Sequence, residues 1–282
     1  MLIKFFKIFF LILLLTYQSS VYSKNKDINE FNSKNVSSYF SALVYYDNQK
    51  NIDALKFFKL SDSLINRHDS YLKNYVFSLV MEGKIMKSIK LLKQFSGEEN
   101  SDFFEAYLIL VLDSIKKKNF KKSNIYLNEL SRFKENSTFE LIIYESLKNY
   151  IYLFENKEIR SDNNFFGNLS IINKAFHSCY LGEKEAQTNF ENLVNSTEVD
   201  YSRYVFFYVN YLIEQNQFNK AKEITDQIDI LHSSLLVAQT KNWVDKKEFG
   251  KFNQIFSCKN ETDILSEFFF LIANIYASEN EI

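Results

Sequence analysis

The sequence has no proline and only five glycines in 282 residues. Sheet-rich folds need turn residues at short intervals, so this scarcity excludes them and leaves helices joined by short polar loops. An excess of positive charge is also missing. Lys and Arg number 34 against 35 Asp and Glu, and the richest basic run, Lys116–Lys122, is interrupted by Asn119 and Phe120. Binding of nucleic acid by phosphate neutralisation needs a clustered basic field, so no nucleic-acid partner is expected.

The residues of catalytic and metal sites are equally sparse. The three histidines, His68, His177 and His232, lie far apart, and none stands three or four residues from another His or Cys, the helical spacing of a metal pair. Gly83, Gly97, Gly167, Gly182 and Gly250 are isolated, which excludes a glycine-rich phosphate loop and suits helix-ending turns. Glu98 and Glu99 read as surface charges near a turn, and Trp243 as a packing residue. The chain is therefore expected to be non-catalytic, with no metal and no cofactor.

What is present begins at the N-terminus. Lys4 and Lys7 precede an unbroken apolar run from Ile8 to Leu15, and Val21 and Ser23 provide small residues for a peptidase. This order predicts a cleaved signal peptide over 1–23, with the cut after Ser23. The run is too short to span a bilayer, which takes about 20 apolar residues. No Cys follows it to carry a lipid. The mature chain is expected in a bacterial periplasm or outside the cell, without an integral membrane span. Loss of Lys4 and Lys7 leaves 32 basic against 35 acidic residues, a net charge of −3. Residues 24–35 are polar and expected to be loose; from 36 to 282 the 46% hydrophobic composition and helical periodicity predict a folded helical domain.

One phrase recurs along that domain: an apolar helix, a short polar turn, a single Ile or Phe, then a second amphipathic helix. It occurs at Gly83-Lys84-Ile85, Asn119-Phe120, Asn216-Gln217-Phe218, Lys247-Glu248-Phe249 and Asn280-Glu281-Ile282. The apolar residue returns after 35 positions from Ile85 to Phe120, 31 from Phe218 to Phe249 and 33 from Phe249 to Ile282. Spacings near 34 match the tetratricopeptide unit of two antiparallel helices.

Three units fit that pattern without gaps, through Leu72, Tyr75, Val76, Leu79, Ser88, Leu92 and Phe95; Tyr107, Leu110, Val111, Ser114, Ser123, Leu127 and Leu130; and Val205, Tyr208, Val209, Leu212, Ala221, Thr225 and Ile228. Positions 8 and 20 of such a unit meet where its two helices close, so position 20 stays small. Ser88, Ser123 and Ala221 obey this. A first unit near 36–66 places Tyr39, Tyr46, Ala54 and Phe58, and another resumes with Ala175, Ala186, Phe190 and Leu193, each with one residue missing. The helix starting near Phe139 lacks a second helix, because Arg160 to Asn164 is polar. The family's Gly at position 8 and Pro at position 32 are absent.

Over roughly residues 36 to 282 the chain thus resembles a tetratricopeptide-repeat protein of the bacterial secreted or periplasmic type. The resemblance implies an all-α, right-handed α-solenoid of antiparallel helix pairs with about 14 helices. It also implies a concave groove, formed by positions 2, 5, 9, 12 and 13 of each first helix, that receives a protein or peptide segment. Those positions are Lys73, Phe77 and Met81; Glu105, Leu108, Leu112 and Ile115; Arg203, Phe206, Asn210 and Ile213; and Glu267, Phe270 and Asn274. Asn210 and Asn274 fall at position 9, where family members hold a ligand backbone with Asn amides; the cationic clamp for a C-terminal carboxylate is not reproduced. The competing reading is that these residues pack on neighbouring helices.

The register carries two further expectations. It puts Cys179 and Cys258 about two repeats apart, too far for a disulfide, which needs alpha carbons within about 7 Å, so two unpaired thiols are expected. It also ends the chain mid-repeat, with Phe269, Ile272, Ala273 and Tyr276 at positions 4, 7, 8 and 11, and the face of Leu265, Phe269, Ile272 and Tyr276 under-covered. That ending suggests the N-terminal part of a longer repeat protein, or else a structural subunit that docks, or oligomerises, through its C-terminal helix. The leading functional expectation is an adaptor of the bacterial cell envelope.

Overall fold

A computed structural model describes residues 32–68, 70–161, 164–196 and 202–280. The signal-peptide reading and most of the 24–35 segment lie outside these residues. Among them are fourteen α-helices and no strand. No described helix is long and apolar enough to cross a membrane. The residues cluster into two compact units that divide after Ser101.

The first unit holds α1 (Ser33–Asp47), α2 (Asn51–Leu60), α3 (Tyr71–Met81) and α4 (Ile85–Gln94). The second holds α5 (Phe104–Lys116), α6 (Phe120–Leu130), α7 (Thr138–Asn156), α8 (Asn168–Leu181), α9 (Glu185–Val194), α10 (Tyr204–Glu214), α11 (Phe218–Asp226), α12 (Leu235–Asp245), the single turn α13 (Phe252–Ile255) and α14 (Glu261–Asn280). In the first unit α1 packs on α2, α2 on α3 and α3 on α4; in the second α5 packs on α6, α6 on α7, and α8 through α12 pack in succession.

The recurring sequence phrase is one recurring turn. Gln49, Gly83, Lys118, Asn216 and Lys247 all have positive φ, between 54° and 65°, and each lies two residues before a new helical segment. The next residue's amide reaches back five positions: Lys84 N donates to Leu79 O at 2.8 Å, Asn119 N to Ser114 O at 2.9 Å, Gln217 N to Leu212 O at 2.8 Å and Glu248 N to Trp243 O at 2.8 Å. These bonds satisfy carbonyls that a helix end leaves open, which is why the helices stop there. Ile85, Phe120 and Phe218 then open the next helix, as their positions predict.

Packing follows the small-residue rule. Ala54, Ser88, Ser123, Ala186 and Ala221 have no exposed surface, and neither do Val76, Val111, Ala175 and Val209 at position 8. The buried hydroxyls return to their own helices: Ser88 Oγ donates to Ile85 O at 2.7 Å and Ser123 Oγ to Asn119 O at 3.1 Å. A serine thus serves as a small apolar residue there without an unpaired donor. In the first unit, Tyr39, Phe58, Tyr71 and Tyr75 form a ring cluster with centroids 5.0 to 6.3 Å apart. Its centre is closed by the Tyr71 hydroxyl on Phe58 O.

The second unit departs from simple repetition at two places. The 19-residue α7 has no second helix, and the described residues between it and α8 are non-helical. After α12, the helix that the Phe249 turn should open breaks at Ile255 after one turn. The chain then folds back over the unit, and α14 packs on α5, α7 and α8.

This fold-back corrects the reading of the cysteines. Cys179, in α8, and Cys258, just before α14, form a disulfide with alpha carbons 5.8 Å apart. Distance counted by stacked repeats failed because α13 does not add a layer; Phe256 instead turns inward against Phe176 and Phe207, ring centroids 5.6 and 4.7 Å away, and brings Cys258 with it. The final helix is likewise not seated as the first helix of a repeat. It buries Ile264, Leu265, Phe268 and Ile272, whereas Ala273, at the position that should be buried, is exposed.

Candidate functional site

The predicted groove residues separate by unit. In the second unit Phe206, Asn210 and Arg203 meet the chain's own C-terminal segment. Phe206 is 1% exposed and stacks on Phe252, with 5.8 Å between centroids. Asn210, 2% exposed, does bond a backbone: its Nδ2 donates to Phe256 O at 2.8 Å. Arg203 makes a two-pronged pair with Glu267, 2.9 and 2.7 Å, and lies 4.0 Å from the centroid of the Phe270 ring. The guanidinium pKa is raised, chiefly by the bonds to Glu267. Ile213 and Ile115 are buried, and Leu108, Leu112 and Glu105 half-buried. Phe270 is partly exposed and Asn274 exposed on α14 itself, so these two belong to the occupant and not to the face it covers.

The disulfide and a polar cluster pin this occupant at its entry. Lys259 Nζ donates to Cys179 O at 3.1 Å and Tyr180 O at 2.9 Å, carbonyls at the end of α8 where a cation is favoured. The Tyr180 hydroxyl donates to Glu261 at 2.9 Å, and Lys118 pairs with Glu261 at 3.2 Å. Burial works against the Glu261 charge, but its backbone and side-chain bonds, from Tyr180 and Lys118, hold its pKa below the usual carboxylate value. Tyr180 is shifted upward, by burial first and by Glu261 second.

In the first unit part of the corresponding face is exposed among the described residues. Lys73 and Phe77 are half-buried on α3, with the ammonium 5.4 Å from the ring centroid, and Met81 is 71% exposed. The register that puts Tyr39 at position 4 also puts Phe40 at 5, Val44 at 9 and Asn48 at 13 of α1. Phe40 and Val44 are each 60% exposed, and a hollow of about 850 Å³ runs along them, bordered by Ser33, Ser37, Tyr45 and Asn48. The Tyr39–Tyr71 stack, 5.0 Å between centroids, holds α1 beside α3. Extending the groove register one unit toward the N-terminus would have found Phe40 and Val44.

Among the described residues no group of three His, Cys, Asp or Glu side chains is placed to hold a metal ion. The geometry offers apolar and aromatic surface, sparse charge and amide groups, which can hold a chain segment. No protein-family model, no curated protein and no solved structure matches the chain.

Proposed function

We propose that the chain is a non-catalytic binding scaffold of the tetratricopeptide type, working in the bacterial envelope or outside the cell, whose first unit takes an amphipathic helix of a protein partner. The observation that carries this is the pair Phe40 and Val44, left 60% exposed at positions whose counterparts in the second unit, Phe206 and Asn210, are covered by the chain's own C-terminal segment. The internal occupant indicates what such a face accepts: stacked aromatic rings, an Arg–carboxylate pair and an Asn bond to a backbone carbonyl. Covering the exposed parts of Phe40 and Val44 would contribute roughly 1 to 2 kcal/mol each, in keeping with helix-in-groove recognition. The buried disulfide supports an oxidising compartment.

The reading in which the final helix docks outward is less well supported, since Leu265 and Ile272 of the face it needs are buried within the second unit. A photoreactive residue at Phe40, with one at the exposed Met86 of α4 as control, tests the proposal in cells. A protein adduct from position 40 and none from 86 is expected. Equal labelling, or only self-adducts from 40, would refute it.

A further inference from the structure

A cleft of about 450 Å³ opens in the second unit between α7, the chain leading from it, α8 and α9. Its volume lies within the range of small-ligand sites. Among the described residues its lining includes five carboxamides, those of Asn149, Asn164, Asn173, Asn189 and Asn192, together with one cation, Lys174, and no carboxylate. Phe165, 74% exposed, adds an aromatic ring to the wall.

The hydrogen-bonding capacity of this wall is only partly used. Asn173 Oδ1 accepts from the Tyr150 hydroxyl at 2.7 Å, which leaves the Asn173 amide protons. Asn189 Nδ2 donates to Ser178 Oγ at 2.9 Å, which leaves the Asn189 carbonyl oxygen. His177 also lines the cleft, 6% exposed, and its Nε2 is buried without a hydrogen-bond partner among the described residues. Burial pushes the His177 pKa down to about 4, so the ring is neutral and Nε2 is either a donor or an acceptor. Unmet polar atoms of this kind in a native structure call for a partner.

We propose that this cleft binds a small neutral sugar, whose hydroxyls pair with Asn173 and Asn189 while a C–H face of the ring lies on Phe165. A hydroxyl donates and accepts at one atom, so it matches a wall whose free groups include both kinds. An anionic ligand would leave the free acceptors opposite a negative charge, and a cationic one would meet the Lys174 ammonium. The site is separate from the α1–α3 face and does not depend on the reading given to that face.

Saturation-transfer NMR on the full chain with glucose, galactose and N-acetylglucosamine, and with triglycine for comparison, tests this. At least one sugar is expected to give a saturable signal. Asn173→Ala and Phe165→Ala are each expected to weaken it by about tenfold, the equivalent of one lost contact, with the circular dichroism and urea midpoint unchanged for Phe165→Ala. The proposal fails if no sugar saturates, if triglycine saturates and the sugars do not, or if both substitutions leave binding intact.

Discussion

Removal of the disulfide by Cys258→Ser should lower stability steeply without displacing the C-terminal segment. The bond closes a loop between residues 79 apart in sequence. The chain-entropy relation gives about 4.5 kcal/mol for a loop of that length, as an upper figure, and about 2 to 4 kcal/mol is the usual range. The segment's other anchors survive the substitution: Phe256 between Phe176 and Phe207, Lys259 on the α8 carbonyls, Glu261 on Tyr180 and Glu267 on Arg203. Equilibrium urea unfolding of the oxidised chain and of the variant, with hydrogen exchange of the α14 amides, measures both effects. The variant is expected to unfold at markedly lower urea while the near-ultraviolet spectrum at zero urea stays unchanged. An unchanged midpoint would refute the reasoning, as would rapid alkylation of both cysteines in the untreated native chain.

Acid should act through His177. Its folded pKa of about 4 lies below the ordinary 6.5, so the unfolded chain takes up the proton first and stability falls as pH drops from 6.5 toward 4. Linkage gives a loss of about 2 kcal/mol between pH 7 and pH 5, which urea unfolding should show in the native chain and not in His177→Gln. The recurring turn predicts opposite signs at two of its copies. Lys247→Gly relieves a left-handed residue and should raise Tm by about 2 °C, from about 1 kcal/mol, whereas Gly83→Ala, at φ +65°, should lower it by a similar amount in a thermal melt.

Helix boundaries were legible in the sequence because their causes are local. A polar residue tolerant of positive φ and an apolar residue two positions later are enough to end one helix and begin the next, at Ile85, Phe120 and Phe218 alike. The close approach marked by Ser88, Ser123 and Ala221 was legible for the same reason. The Phe249 turn looks identical, yet its helix stops at Ile255 because Phe256 and Cys258 are held by residues of α8 and α10, which no local pattern records. An apolar stripe states that a face is covered and not by what. For that reason Phe206 and Asn210 could be assigned to a binding face while their occupant, a segment of the same chain, could not. The Asn-lined cleft was hidden for a related reason: its groups come from three helices and the chain between two of them, and single asparagines carry no spacing signal.

The fold-back of the C-terminal segment is the claim on which the division between a covered and an exposed face rests. Zero-length carbodiimide crosslinking followed by non-reducing peptide mapping tests it in one measurement. The expected map contains a Lys118–Glu261 adduct and the Cys179–Cys258 peptide, since these pairs stand at 3.2 Å and in a covalent bond. A map with neither link, and with Glu261 joined only to residues of its own helix, would contradict it.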